Sequence, residues 1–560
     1  MAAGLDIAMV AGKSSLLTTQ KQIAVISNNV SKANDPYYHR RTSSIDPNTA
    51  VLGDSGYIGT GAHIAAIVRQ YDSALENSLR NALCDNGYDS TYYDQLSGVE
   101  DILAPGGEDP LNSVVQDFAT TLQVVATDPE ELANRVALIG AAENVADRIN
   151  QNYDNLASLR DYIASNDTTG NGAISKALED VKGLLERIPE LNKKIKELEE
   201  NQFRNQSAND LRDERDEVIS KLSQYIDISV QEETDGRYTV TCDGQTLVNG
   251  TYTPQLQADY LEIQMTNTPP SPHYVPSIVL HSNNATTVSL SSGQVKGYID
   301  AHEYIRGKMD NLYDYAQNFG DSVTDPGTYW EASHAYVLTD QVRPVPSNGF
   351  VYEATTVTGA TGAAQPTWPT TVGGTVVDGG VTWTCVGEFS TLNSAHMEGY
   401  DLNGDAGGKL FTMSATQPAD GSILTVAITD PKKVAASSVG DETAADPSLE
   451  VEKGNGSNIL SLWSDMNDSS KPDPALDGES ILSYANRYIS DIAQDVSEAE
   501  NKSITSENIQ EMFQNAVYEV SAVNMDDEMT EMLEVQRTYQ ASAKLINTID
   551  QMMAMVLNMF

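Results

Sequence analysis

A multidomain α+β fold is predicted for this chain of 560 residues: terminal helices forming a coiled coil, a mostly helical rod-like middle domain, and outer β-rich domains. Three observations carry that prediction. Apolar residues recur every seven positions at both extremes of the chain. Residues 111–222 keep helical spacing. From Ile226 the pattern changes to the two-residue alternation of strands, broken by Gly and Pro turns.

At the amino end, Met9, Leu16, Ile23 and Val30 lie seven apart, with Leu5, Gly12, Thr19 and Ile26 as a companion seam. At the carboxyl end, Met525, Met532, Tyr539, Ile546, Met553 and Phe560 repeat the spacing, and Val535, Ile549 and Val556 supply a second seam. A helix striped in this way buries one narrow face against a partner helix. Charge points to the partner. Residues 1–41 carry five basic and two acidic residues, a net +3; residues 511–560 carry eight acids against Arg537 and Lys544, a net −6. Opposite signs steer the two ends together, and chain ends fray unless something ties them down. The terminal helices are therefore read as an assembly element. Eight of the fifteen methionines lie between Met512 and Met559, which suits either gap-filling in a core or a repeated, imperfectly equivalent contact.

Composition excludes several functions. The chain has 34 basic and 80 acidic residues, a formal net charge of −46. Phosphate binding needs clustered Lys and Arg, so nucleic acid and anionic membranes are discarded as partners. An apolar content of 40 % excludes a uniformly disordered acidic tail. Cys84, Cys242 and Cys385 are too few and too scattered for a disulfide framework or a zinc site. No run of 18 apolar residues suggests membrane insertion, and MAAGLDIAMVAGK lacks the basic start of a secretory signal.

The segment from Ser27 to Arg41, SNNVSKANDPYYHRR, resembles the SNNIANxNTPGYxRQ signature of flagellar rod, hook and hook-associated proteins, through Asn28, Asn29, Asn34, Pro36, Tyr38 and Arg40. Tyr37 stands where the family has Gly, and a left-handed backbone there would disfavour tyrosine. Gly56-Tyr57-Ile58-Gly59-Thr60-Gly61 with Val68-Arg69-Gln70-Tyr71-Asp72 resembles the family's next stretch; it is no dinucleotide loop, because Ile64 stands where GxGxxG needs its third Gly.

In the middle, Asp128-Pro129 breaks the helical pattern, with Asp128 as a candidate cap and Pro129 at the first helical position. Val181, Leu184, Ile188, Leu191, Ile195 and Leu198 suggest a two-heptad hairpin arm that Pro189 should kink. NDLRDERDEVISKL from Asn209 reads as a helix capped by Asn209, its charges on the solvent side. IDISVQEE and RYTVTCDGQTLVNG then read as hairpin strands turning at Asp243-Gly244. This order resembles the first hook-associated protein (FlgK) family. Asp128, Pro129 and Arg135 match its DP…R helix, Asn209 to Ser223 its NDLLDQRD helix, and Gly244 to Gly250 a GxxLVxG strand. Asn393 to Gly404 resembles NxxHxxGYDLNG, and Gly454-Asn455-Gly456-Ser457-Asn458 resembles GDNxN. Asp401, Asn403 and Asp405 read as a turn, since Ala406 and Thr412 stand where a calcium loop needs Gly and Glu.

Residues 324–391 interrupt the match. They hold three of the four tryptophans, and strands AYVLTDQVRPV, GFVYEATTV and VTWTCVGEF bounded by Pro and Gly turns. The pattern resembles small carbohydrate-binding-like modules. Trp330, Tyr352, Trp368 and Trp383 are its possible glycan-binding residues if exposed, since sugars stack on flat aromatics; the other reading makes them the core of a tiny domain.

No sequence feature points to an enzyme. His39, His63, His273, His281, His302, His334 and His396 form no HExxH pair, and no GxSxG elbow or P-loop occurs. No catalytic, cofactor-binding or metal residue is assigned.

What the resemblance implies is a structural subunit at the hook–filament junction, exported without a cleaved signal peptide through the flagellar type III apparatus and polymerised as a ring outside the cell. Its implied partners are other copies of itself, hook protein, the adjacent hook-associated protein and flagellin filament, with an export chaperone on the segment from residue 511. The competing reading is a surface adhesin acting on glycan through the tryptophan module. The expected divisions are 1–45, 46–228, 229–323, 324–391, 392–480, 481–524 and 525–560, with 411–480 the least patterned.

Overall fold

The computed structural model describes residues 2–53, 56–104, 109–200, 208–250, 261–267, 272–280, 286–320, 328–344, 348, 350–388, 391–414, 416–439, 452–467, 476 and 479–558. The fold is multidomain α+β. Helix α1 (Ala2–Ser31) leads through a signature turn into β1 (Arg41–Pro47), the small hairpin β2 (Val51–Gly53) and β3 (Gly56–Ile58), and β4 (Ala62–Arg69). β1 and β4 pair antiparallel, from Arg41 opposite Arg69 to Pro47 opposite Ala62. The ribbon is fastened alongside α1, where Thr18 donates to the Ala62 carbonyl at 2.9 Å and Asn48 donates to Ser14 at 2.8 Å.

The body is helical: α2 (Ser73–Leu103), α3 (Leu111–Thr127), α4 (Leu132–Ile163), α5 (Ala173–Glu200) and α6 (Asn209–Tyr225). Asp72 caps α2 by accepting from the Ala74 and Leu75 amides. Two caps differ from expectation. Asp128 closes the end of α3, and Glu131 opens α4 by accepting from Ala133. The turn after α3 delays α4 past Pro129, whose carbonyl accepts from Arg135 Nε at 2.6 Å. Ala208 takes the cap position of α6; Asn209 already lies in the helix and donates its side-chain amide to the Ile67 carbonyl at 3.1 Å. In α5 the buried seam runs through Val181, Leu185, Ile188, Leu191 and Ile195, and Pro189 lies inside an otherwise continuous helix. Leu198 is half exposed, so the arm's seam ends at Ile195.

Strands β5 (Ser229–Glu232), β6 (Tyr238–Cys242) and β7 (Gln245–Asn249) form an antiparallel sheet whose turn has positive φ at Asp243 and Gly244, 47° and 70°. β8 (Leu261–Thr266), β9 (Val275–Leu280) and β10 (Thr286–Val288) form a second one. Helix α7 (Gln294–Ala316) then returns to pack along α2 and α4. After the tryptophan module, α8 (Thr391–Met397), a short two-stranded ribbon and α9 (Ser457–Asn467) lead to α10 (Ile481–Ser521), which runs along α2, and α11 (Met525–Asn558). One continuous apolar core joins α2–α10 to the β5–β10 sheets, from Leu96 to Ala499. Arg135, almost wholly buried, also donates to the Val434 carbonyl at 2.5 Å, tying α4 to the turn at 431–434. Among the described residues, no helix is long and apolar enough to cross a membrane.

The tryptophan module has β11 (Thr328–Tyr329), β12 (Gln341–Arg343), β13 (Phe350–Val357), β14 (Thr375–Asp378) and β15 (Val381–Glu388), in the order β11-β12-β13-β15-β14; the ribbon beyond it is β16 (Phe411–Met413) with β17 (Leu424–Val426). The module has a core of its own, built on Trp330, Tyr336, Tyr352 and Trp383 with Trp368 packed against it. Trp383 is 0 % exposed, and Tyr352 and Trp330 are buried. The four aromatics expected as a glycan platform are thus chiefly core. Too small to bury much aliphatic surface, the module fills its centre with rings, Tyr352 and Trp368 at 4.3 Å and Tyr336 edge-on to Trp383 at 5.0 Å. Their polar tips converge on buried Asp378, which accepts from Trp330 Nε1 at 2.7 Å, Trp383 Nε1 at 3.3 Å and the Gly362 amide at 2.8 Å. Asp378→Ala orphans all three donors and should cost on the order of 4 kcal/mol. Tryptophan fluorescence, which three module residues dominate, should then show an early thermal transition while far-ultraviolet helix melting holds. An unchanged fluorescence transition would refute this role for Asp378.

Candidate assembly site

Helices α1 and α11 lie against each other antiparallel. Ser15 and Ser542 hydroxyls meet at 2.8 Å, and Asn29 reaches Glu528 at the other end. On α11 the buried positions are Glu528, Val535, Ser542 and Ile549, seven apart, with Met532, Tyr539, Ile546 and Met553 half-buried beside them. On α1 the companion seam is the buried one, Gly12, Thr19 and Ile26, while Met9, Leu16, Ile23 and Val30 are half-buried. A Cβ on Gly12 would stand 3.0 Å from Ile546, so the small residue lets the two backbones approach. Met525 departs from the expected seam: it opens α11 and is exposed. Phe560 lies outside the described residues. The pair is closed within one chain.

The pair covers only one face of each helix. Val10 and Leu17 on α1 are exposed, as are Met529, Leu533, Leu545, Met552 and Met555 on α11. Lys13 and Lys21 border the first stripe, and Asp526, Asp527, Glu531 and Glu534 border the second; all six are exposed.

Where the pair meets the body, the signature residues form a saturated polar latch. Asn29 is 1 % exposed and fills all four of its hydrogen-bonding positions. Its oxygen accepts from Tyr38 Oη at 2.8 Å and the Arg41 amide at 3.1 Å. Its amide donates to the Arg41 carbonyl at 2.9 Å and to Glu528 Oε2 at 3.0 Å. Glu528, fully buried, also takes Arg40 Nε at 2.6 Å, and the Arg40 amide donates to the Ser521 carbonyl at 2.7 Å, closing α10 onto the turn. Of the six signature residues, the structure brings Asn29, Tyr38 and Arg40 into the latch. Asn28 contributes only its carbonyl, which accepts from Ser31 and Lys32. Asn34 and Pro36 are exposed on the turn. Tyr37 is not among the residues of positive φ, so the exchange for Gly costs no left-handed strain. Burial, partly offset by Arg41, pushes the Tyr38 hydroxyl up to about 12.

A second cluster fastens the other side of the turn, and it involves residues that the charge pattern assigned to solvent. Asp213, Arg215 and Asp216 of α6 are buried. Arg69 Nη1 donates to Asp213 Oδ1 and Asp216 Oδ2, both at 2.8 Å, and Arg41 Nη2 donates to Asp213 Oδ2 at 2.9 Å and Asp210 at 2.7 Å. His39 lies between two carboxylates: Nδ1 is 2.9 Å from Asp213 and Nε2 is 3.1 Å from Glu76 of α2. His39, Asp213 and Asp216 would group suitably for a divalent ion, but Arg69 already bridges the two aspartates. The cluster is an ionic clamp. Behind it, Arg215 stacks 3.4 Å from the Tyr238 ring centroid and donates to Asn192 and the Gly236 carbonyl, both at 2.8 Å. The clamp's partners lie far apart in sequence, so the only available signal was the run Asp213-Glu214-Arg215-Asp216, which a helix can also carry in water.

The comparisons with known proteins fall on these regions. The family model for the flagellar hook-associated protein FlgK helical domain matches residues 96–325, and that for the flagellar basal body rod FlgEFG protein C-terminal matches 514–559. Flagellar hook-associated protein 1 of Escherichia coli (strain K12) is 25 % identical over 97 % of the chain and 98 % of that protein. The protein of that name from Bacillus subtilis (strain 168) is 22 % identical over 97 % of the chain and 96 % of its own length. The one from Salmonella typhimurium is 31 % identical over 44 % of the chain and 43 % of that protein. The solved structure of the flagellar hook junction protein FlgK from Burkholderia pseudomallei superposes with a TM-score of 0.51 at 15 % identity, covering 80 % of this chain and all of that one, which shows the fold.

Proposed function

Because the chain belongs to the flagellar hook-associated protein 1 (FlgK) family, a structural component of the flagellum, we propose that it polymerises at the hook–filament junction and connects hook to flagellin filament. The observation that carries this reading is the terminal helix pair. Its two outer faces are apolar and carry opposite charge, Lys13 and Lys21 on α1 against Asp526, Asp527, Glu531 and Glu534 on α11. Unlike faces on one subunit make a head-to-tail contact, which closes into a ring or continues as a helix. Hook protein below, the adjacent hook-associated protein and flagellin above are the partners this placement supplies. Before assembly, the exposed methionine face of α11 is the surface that an export chaperone would cover. Passage unfolded through the flagellar export channel suits a chain whose three cysteines are all free. The burial of the module's aromatics offers no support for the adhesin reading.

The test is genetic. Cells deleted for this chain should assemble hooks and release flagellin filaments into the medium, and supplying the chain without residues 328–388 should restore attached filaments and swimming. Filaments that stay attached in the deletion strain would sink the junction role.

A further inference from the structure

We propose that His39 is a proton-operated lock on the assembly element: while it carries a proton, the signature turn and its ribbon stay fastened to the helical body, and alkali releases them. The placement of the terminal pair as the assembly element gives this lock its consequence, so the inference rests on that reading.

The geometry requires a charged ring. Both nitrogens of His39 face carboxylates, Asp213 of α6 and Glu76 of α2, and a carboxylate can only accept. A neutral imidazole has one N–H, so one of these contacts would become lone pair against lone pair. The surroundings are buried and crowded with charge. Asp216 (α6) and Arg69 (β4) lie beyond Asp213, Arg41 (β1) shares Asp213 with the exposed Asp210, and the Tyr71 ring is tilted over His39 with centroids 5.3 Å apart. With His39 protonated, His39, Arg41 and Arg69 are ion-paired with buried Glu76, Asp213 and Asp216, while buried Arg215 acts on Asp216 and buried Arg80 on Tyr71. Losing the proton takes away the cation on Glu76 and one of those on Asp213 in a buried site, where an uncompensated charge is expensive. Burial opposes the imidazolium, but the hydrogen bonds to Asp213 and Glu76 outweigh it and hold His39 at about 9.

The sign follows. A histidine raised from 6.5 to about 9 adds stability that is complete below 6.5 and disappears as pH rises through 9. What it holds is specific: His39 sits between the Asn29–Tyr38–Arg41 latch and helices α2 and α6. The helical core, with its own apolar cluster, does not depend on it.

Trypsin reads the lock directly, because Arg40, Arg41 and Arg69 lie in it. On the dilute full-length chain, cleavage at these three sites is measured from pH 7.5 to 10 relative to cleavage at the exposed Lys453. In the unmodified chain the ratio should rise at least about tenfold, the change that one pKa unit produces. His39→Gln, which has a donor but no charge, should be cut readily at pH 7.5 with a ratio that stays flat. Glu76→Gln removes one of the two carboxylates and should lower the release midpoint by about one pH unit; it carries the test should His39→Gln fail to fold. A flat ratio in the unmodified chain, a His39→Gln ratio that still climbs, or an unmoved midpoint in Glu76→Gln would overturn the lock. The measurement uses monomer, so failure of the lock leaves the junction reading standing, and failure of the junction reading leaves this result intact.

Discussion

Acidification from pH 7 to pH 4 should unfold the helical body, with the steepest loss below pH 6.5. Three histidines are buried as neutral rings. His396 is pinned: the Ala435 amide donates to Nε2 at 2.8 Å, so that nitrogen must accept, and Nδ1 donates to the Gly408 carbonyl at 2.7 Å. His273 Nδ1 likewise accepts from Arg160 Nη1 at 2.8 Å. His302 is fully buried on α7, near the same arginine and Arg306. Burial first, and these guanidinium groups second, push His273 down to about 4 and His302 to about 3; burial brings His396 to about 4. In the unfolded chain each takes up a proton near 6.5. A depressed histidine gives stability that is whole above 6.5 and is lost as pH falls toward its folded value. Displacements of about 2.5 to 3.5 pKa units correspond to roughly 3–5 kcal/mol per histidine. Three of them together are comparable with the whole of the roughly 5–15 kcal/mol that holds an ordinary domain folded. His39 does not compensate, since its contribution is constant below 6.5. Circular dichroism against pH should show cooperative loss of helix between pH 6 and 4, and His302→Met, which cannot titrate, should move that midpoint to lower pH. A melting temperature that stays level from pH 7 to 4 would exclude the account.

The acid-sensitive histidines and the ionic clamp share a reason for having been hard to foresee. Periodicity reports which face of a helix is apolar, and it found the terminal seams, the α5 arm and the strands around Asp243-Gly244. It is silent on whether a polar face meets water or another polar face. The run Asp213-Glu214-Arg215-Asp216 is compatible with either; only Arg69, His39 and Glu76, well over a hundred residues away, decide that it is buried. The tryptophan module shows the same limit. Its strands were legible, but a ring that stacks on sugar and a ring that fills a core have the same letter. In the structure, Asp378 gathers the indole N–H groups of Trp330 and Trp383 inside the module. The signature was legible as a pattern but not as a division of labour: Asn29, Tyr38 and Arg40 hold the latch, and Asn34 and Pro36 lie exposed on the turn.

Asn29→Asp should open that latch with almost no change in volume. The wild-type amide presents its donor side to the Arg41 carbonyl and to Glu528, and its acceptor side to Tyr38 and the Arg41 amide. An aspartate keeps the second pair and turns the first into repulsion, oxygen against a carbonyl and, at 3.0 Å, against the fully buried carboxylate of Glu528. Losing two buried hydrogen bonds and adding a like-charge contact should cost on the order of 4 kcal/mol. That cost falls where α11 begins, so the loss is local. Amide exchange should accelerate at residues 26–31 and 525–535, the body's melting should hold, and polymerisation should fail. The reciprocal change gives the sharper readout. In Asn29→Asp/Glu528→Gln the glutamine can donate to the aspartate, rebuilding the contact with donor and acceptor exchanged. A double-mutant cycle should therefore show strong favourable coupling, of ~2 kcal/mol or more. Additive losses would mean that Asn29 and Glu528 act separately.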